Sequence, residues 1–329
     1  IDPPFSGRKN KQHTFNHAVS RYLKHHSFNL IQSHERFNGC HIFRAGDGVH
    51  KVWLQQKSLI SNTLQRWWLK HSPYHKALLA EEKAMFESNT LKKVICNSEM
   101  VKQEIVNNFT IDESKLTVIY NGVDTDIFTP PTRERRNALR RSHNIPNDAL
   151  VFIFSGSGFE RKNLSTTLKA FSQLDDSCYL LIVGRDKQQT QYEKLAISLN
   201  ISTRAIFLGA QEKSSMPSLY QLADVLVLPT LYDPFANVIL ESLASGLPCI
   251  TSNYCGAVDV IPQSNCGKII HPLDQKALTQ AMQHYQNTDF LFDESNNARI
   301  TAKKFTQSIM QEKLLRLYND LLENKNGQT

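Results

Sequence analysis

From residue 150 onward, short apolar runs alternate with longer stretches in which apolar residues recur every three or four positions. Residues 151–154, 179–183, 205–208, 225–228 and 248–251 are runs of four or five residues, apolar on successive positions, as strands buried on both faces are. Between them, 164–174, 192–199, 215–223 and the stretch ending at Ala244 carry helical spacing. Strands alternating with helices predict repeated βαβ units and a parallel, doubly wound sheet over about 146–270. Gly184 and Gly209 stop two of the strands, and Ser155-Gly156-Ser157-Gly158 follows the first.

The first half is less regular. Asn29–Ser33, Ile42-Phe43, Val94–Cys96 and Val118–Tyr120 are strand candidates, with helical stretches over 9–26 and 51–90. A second doubly wound domain would need further strands before Phe28. The chain also opens on Ile1 without a Met. The pattern therefore implies a longer parent whose first βα turn is missing. Residues 129–149, rich in Pro and Arg, read as a linker followed by a polar helix. From Asn297 to Glu323, apolar residues at Phe305, Ile309, Leu314, Leu317 and Leu321 predict one long amphipathic helix. The expected domains are therefore a partial N-terminal Rossmann-like domain over 1–128, a linker over 129–145, a complete doubly wound domain over 146–295, and a helical tail over 296–329. There is no internal repeat and no low-complexity tract.

Composition narrows the class. Hydrophobic residues make up 40% of the 329 and charged residues 21%. Those shares are ordinary for a soluble globular protein. No apolar run reaches the ~18 residues of a transmembrane helix. Six scattered cysteines lack any C-x-x-C pair, which argues against a zinc or redox site and for a reducing compartment. Charge is uneven: residues 1–150 hold 22 Lys and Arg against 14 Asp and Glu, and the remainder 16 against 17. A basic first half suits nucleic acid, an anionic membrane surface or a phosphorylated glycolipid, or is simply a solvated basic face. Within it, Trp53, Trp67 and Trp68 with Lys57, Arg66 and Lys70 form a basic aromatic patch. Such a patch either meets a membrane interface or packs in the core.

Candidate chemistry concentrates in the second half. In Asp233-Pro234-Phe235-Ala236-Asn237-Val238, an acid enters a turn and a helix starts, and Glu241 follows eight positions after Asp233. Both acids can then lie near the helix start, where the amides of Ala236, Asn237 and Val238 would be free for a diphosphate. Asp233 also suits a plain turn or N-cap. Glu241 inside an apolar helix does not, because a buried carboxylate is costly unless something pairs with it. Arg161 and Lys162, after the glycines Gly156 and Gly158, put two cations at a helix start, which the macrodipole disfavours unless an anion binds there. Gly184-Arg185 and Leu208-Gly209 lie at strand carboxyl ends, where open α/β sheets bind ligands. In the first half, Arg44-Ala45-Gly46-Asp47-Gly48-Val49-His50 is a backbone-exposed loop in which Asp47 could accept a hydroxyl, with His50 beside it. Asn121-Gly122 suggests a sharp turn after a strand.

These segments resemble glycosyltransferase family 4, and within it the bacterial lipopolysaccharide core glucosyltransferase I group. The resemblance rests on the Gly156…Lys162 loop, the Asn121-Gly122-Val123-Asp124 turn and the Asp233…Glu241 helix. It extends to Gly256-Ala257-Val258-Asp259 and Asn265-Cys266-Gly267, over about residues 28–325. It implies two facing Rossmann-like domains (the GT-B architecture), the first incomplete at its N-terminus, and transfer of a hexose from a UDP-sugar with retention of configuration. It further implies that Arg161 and Lys162 bind the diphosphate in place of a metal, that Glu241 holds the ribose, that Asp233 meets the donor sugar and that Asp47 lies in a sugar-facing loop. Asp233 stands where the family usually has Glu, so the donor sugar is left open. No cofactor beyond the UDP-sugar substrate is implied. The implied acceptor is an anionic glycolipid or polysaccharide at the inner-membrane surface, and the implied location is cytoplasmic and peripheral to that membrane. No nucleic-acid module is recognisable. Transfer to another lipid or polysaccharide from a different nucleotide-sugar, or a truncated, non-catalytic nucleotide-sugar-binding protein, are the alternatives.

Overall fold

A computed structural model describes residues 3–4, 7–261 and 266–326. Residues fall into two compact units: those up to Tyr120 with those from Gln311 on, and Asn121–Met310. The chain crosses between units at 120–121 and 310–311, whereas the limits expected from sequence are at 128, 146 and 296.

In the first unit the order is α1 (Gly7–Leu23), β1 (Gln32–Ser33), β2 (Ile42–Ala45), α2 (His50–Leu59), α3 (Thr63–His71), α4 (Pro73–Phe86), β3 (Lys93–Cys96), α5 (Glu99–Asn108) and β4 (Leu116–Val118). Among the described residues these strands form a parallel sheet in sequential order, β1-β2-β3-β4. Its core gathers Phe43, Phe86, Met85, Val94, Val101 and Ile105. The expected 51–90 stretch is three helices, not one. Asn62 caps α3 through a reciprocal capping box with Gln65, and Pro73 begins α4, where a missing N–H costs nothing.

The second unit holds α6 (Arg133–Ser142), β5 (Leu150–Ser155), α7 (Phe159–Lys162), α8 (Leu164–Phe171), β6 (Cys178–Val183), α9 (Gln189–Ser198), β7 (Ala205–Gly209), α10 (Met216–Leu222), β8 (Val225–Leu228), α11 (Asn237–Ala244), β9 (Cys249–Ser252), β10 (Gly267–Ile270), α12 (Gln275–His284) and α13 (Thr288–Ala302). Its sheet is parallel in the order β10-β9-β8-β5-β6-β7, the full doubly wound arrangement. Val151, Phe152, Ile153 and Phe154 of β5 are wholly buried, as a central strand covered on both faces must be. The polar helix after the Pro-rich segment is α6. Its buried Arg140 bonds Asp224 at 2.6 Å, and Asp224 also accepts from the Val151 amide at 2.8 Å, which ties α6 to the start of β5.

Two expectations need correction. The sheet extends one strand further than expected, to β10. The tail is not one helix: α13 ends at Ala302 and α14 (Gln307–Asn326) begins afresh. The break exists because Val123 donates to the Phe305 carbonyl at 2.9 Å and accepts from the Gln307 amide at 3.2 Å. Gly122 permits this approach, since a Cβ there would meet the Thr306 carbonyl oxygen at 2.5 Å.

Candidate active site

The strand order of the second sheet reverses between β5 and β8, the switch point at which open α/β sheets bind ligands beyond the carboxyl ends of the strands. The loop after β5 carries Gly156, Gly158, Arg161 and Lys162, and the loop after β8 carries Asp233. Gly156 takes a positive φ, which glycine adopts at no steric cost. Its lack of a Cβ also lets the Lys162 stem pass, since an added Cβ would stand 3.2 Å from Cε. The Arg161 carbonyl accepts from the Leu231 amide at 2.9 Å and the Thr230 hydroxyl at 3.1 Å, which locks the two loops together.

Asp233 is buried, and its Oδ2 receives Lys162 Nζ and, at 3.1 Å, Arg161 Nη1. Its Oδ1 accepts from the Phe235 amide at 3.2 Å. Its backbone is paired in both directions, N–H to Tyr254 at 2.9 Å and C=O from Gly256 at 2.8 Å. Burial alone would raise its pKa, but Lys162 and Arg161 together outweigh burial and hold it below the usual value. Asp233 is therefore a turn residue and a charge partner at once. Arg161 and Lys162 close the short α7, where the helix dipole favours cations, and directly precede Asn163, the N-cap of α8, so they do stand beside a helix start. Their anion in this structure is Asp233.

Glu241 turns to a different partner. Its Oε2 accepts from the Tyr220 hydroxyl at 3.0 Å, and Tyr220 is fully buried. Burial raises the Glu241 pKa, against the Tyr220 hydrogen bond and Lys213. Burial also lifts the Tyr220 phenol far above its ordinary value, with the Glu241 charge acting the same way. Glu241 lines a cavity of about 430 Å³ with Asp124, Lys213, Ser214, Asn237 and Gln307. Asn237, the first residue of α11, accepts from Asn121 Nδ2 at 2.7 Å, and Asp124 accepts from the amides of Asp126 and Ile127 at 3.0 and 3.1 Å. The turn at Asn121–Asp124 thus belongs to this cavity.

α11 starts without a side-chain cap, because its N-cap is Ala236. Of the three amides expected free there, that of Ala236 hydrogen-bonds the Cys255 thiol. Asn237 and Val238 stand in the first turn, where no intrahelical acceptor reaches them. Gly184 bonds the Gly209 carbonyl at 2.8 Å, so the Gly184-Arg185 and Leu208-Gly209 strand ends adjoin. Arg185 is exposed, and its amide donates to Ser157 Oγ at 3.3 Å.

Asp47 belongs to the first unit, exposed in the loop after β2. The loop is held from below. Glu82 Oε1 accepts the His50 amide and Arg36 Nε, both at 2.9 Å, and His50 Nε2 lies 3.0 Å from His75 Nδ1. Burial lowers the His50 pKa to about 4, with Arg36 and His75 pushing the same way, so His50 is neutral near pH 7. Gly256–Val260 is a 3-10 turn against Asp233, and Asn265 lies outside the described residues. Sequence reasoning missed Tyr220 and Lys213 as neighbours of Glu241, because no local pattern links residues that meet only through the sheet.

Known structures share this fold. The crystal structure of WaaG, a glycosyltransferase involved in lipopolysaccharide biosynthesis, superposes with a TM-score of 0.81 at 20% identity, covering 95% of this chain and 84% of that one. Anabaena HepE in complex with UDP gives 0.74 at 15% identity, covering 97% and 85%. Two Rossmann-like parallel sheets of this kind match the GT-B fold of the WaaG structure. The chain belongs to the glycosyl transferases group 1 family, whose model matches residues 135–305, and residues 1–127 match the Glycosyltransferase Family 4 model. A glycosyltransferase of uncharacterised role from Methanocaldococcus jannaschii, MJ1607, is 29% identical over 183 residues, 55% of this chain and 47% of its own length. The lipopolysaccharide glucosyltransferase WaaG of Escherichia coli K12 is 23% identical over 271 residues, 80% of this chain and 70% of its own. The chain thus spans about half the length of the first of these relatives.

Proposed function

We propose that this glycosyltransferase moves a hexose from a UDP-sugar to an anionic glycolipid or lipopolysaccharide core acceptor, with retention of configuration. The observation that carries the reading is the convergence of Arg161, Lys162 and Asp233 at the switch point of the second sheet. Two cations share one carboxylate, so positive charge remains for an incoming diphosphate. Arg161 is half-exposed, and is the cation better able to turn to phosphate while buried Lys162 stays with Asp233. The amides of Asn237 and Val238 add donors at the same edge. Glu241, fixed by Tyr220, takes the ribose hydroxyls in its cavity. The strand ends at Gly184-Arg185 and Leu208-Gly209 offer backbone groups to the base. Asp233 faces the donor sugar, and Asp47 serves a sugar or acceptor hydroxyl.

In this reading the bond from the sugar C1 to the diphosphate oxygen breaks as negative charge grows on phosphate, where Arg161 and Lys162 stabilise it. The acceptor oxygen attacks C1 from the same face, and its proton passes to the departing phosphate. The UDP of the HepE complex supports the donor class, and the lipopolysaccharide named for the relative WaaG supports the acceptor class. Among the described residues no helix is long and apolar enough to cross a membrane, and the acceptor would be met at the inner-membrane surface.

The test is incubation of the full chain with UDP-glucose and a lipopolysaccharide core acceptor lacking its next hexose. Release of UDP with an α-linked product supports the reading. An inverted linkage, or transfer undiminished in Lys162→Ala, contradicts it.

A further inference from the structure

The surface of α3 is unlike the rest of the first unit. None of its residues is buried. Leu64, Trp67 and Trp68 are all strongly exposed, Leu64 at 74%. Their spacing of three and four residues sets them on one helical face. His71, one turn on, stacks on Trp67 at 4.8 Å between ring centroids. Leu59 and Ile60, at the end of α2, continue the apolar surface. The core-packing alternative therefore fails for Trp67 and Trp68, and only Trp53 is half-buried.

This exposure is built in. The Asn62–Gln65 capping box fixes the start of α3, and Arg66 Nε donates to the carbonyls of Ser58 and Ser61 at 2.8 and 2.9 Å, pinning α3 to the end of α2. Charge sets the partner. No Asp or Glu occurs between Asp47 and Glu81, while Lys51, Lys57, Arg66, Lys70 and Lys76 fall in that span. By contrast, the exposed Phe290 and Phe292 of α13 sit among Asp289, Asp293 and Glu294.

We propose that α3 docks the first unit onto an anionic bilayer, with Trp67 and Trp68 at headgroup depth and the lysines beside them on lipid phosphates. Indole rings partition to that depth because one edge is apolar and the N–H stays wet. Basic residues near an anionic leaflet add electrostatic attraction that salt screens. The proposal deepens the membrane-surface part of the function proposed above, and rests on it only for choosing lipid over a protein partner.

Lipid binding is read without turnover, so its failure would leave the transfer reading standing. The full chain is sedimented with vesicles of phosphatidylcholine containing about 30% phosphatidylglycerol, and with phosphatidylcholine alone. Binding is expected on the anionic vesicles and to fall with added salt. The double variant W67A/W68A should bind roughly tenfold or more weakly, with unchanged melting because both rings are exposed. K70Q/K76Q should reduce the salt dependence. In wild type, lipids brominated near the headgroup should quench tryptophan fluorescence. Absence of binding, binding of W67A/W68A equal to wild type, or absence of quenching overturns the proposal. So does a lipid-free dimer that W67A/W68A abolishes, which would give the face to a second copy.

Discussion

Lys162 and Asp233, 71 positions apart in the chain, meet as a buried ion pair between the loops that leave β5 and β8. Lys162, with Arg161 on the same carboxylate oxygen, keeps the buried Asp233 ionised. Removing one member of such a pair strands the other charge.

Asp233→Asn should therefore destabilise the second unit. Breaking a buried pair costs about 3–5 kcal/mol, and Arg161, still half-exposed to water, puts this case at the low end. Asp233→Glu keeps the charge but forces a methylene into a buried turn, for about 1–3 kcal/mol. Chemical denaturation of both variants checks the order. Equal losses would mean that packing, and not charge, holds the turn.

The pH dependence follows from the signs. Asp233 has a depressed pKa in the folded state, so its contribution is complete above its ordinary value of 3.8 and is lost as pH falls further. The stability gap between wild type and Asp233→Asn should be flat from pH 7 to about 5 and close in acid. A gap that instead widened below about pH 4 would contradict the pairing.

Glu241 has the opposite sign. Its raised pKa means that the folded state loses stability as pH climbs from the ordinary 4.5 through the shifted value. Glu241→Gln should then be neutral or stabilising near pH 7, since the amide oxygen can still accept from Tyr220. The same variant should weaken UDP binding, because a neutral amide holds ribose hydroxyls less tightly than a carboxylate. Melting and binding measured on one preparation separate the two effects.

Gly122→Ala tests the close approach of the 121–124 turn to residues 305–307. The new Cβ would stand 2.5 Å from backbone, where nothing flexible can yield. A loss of about 1–3 kcal/mol is expected. Little or no loss in urea denaturation would show that the α13–α14 break does not depend on this contact.

The second sheet was legible because its strands are buried on both faces and read as unbroken apolar runs. β10 was not, because Gly267-Lys268-Ile269-Ile270 is an edge strand with Lys268 and Ile269 only partly covered or exposed. The breaks at Asn62 and Pro73 had local signals in the capping box and the N1 proline. The break before Gln307 had none, because Val123 imposes it from far away in the chain. At the site, Arg161, Lys162, Asp233 and Glu241 could be picked out singly from their residue types and loops. That Asp233 would take both cations while Glu241 turned to Tyr220 depended on the order of strands in space.

Binding of a nucleotide-sugar diphosphate at the switch point between the β5 and β8 loops is what the proposed function rests on. It is checked by calorimetric titration of UDP into the full chain, Lys162→Ala and Glu241→Gln. One site is expected in wild type, with affinity at least about tenfold lower in each variant. UDP bound equally well by all three, or by none, would contradict it.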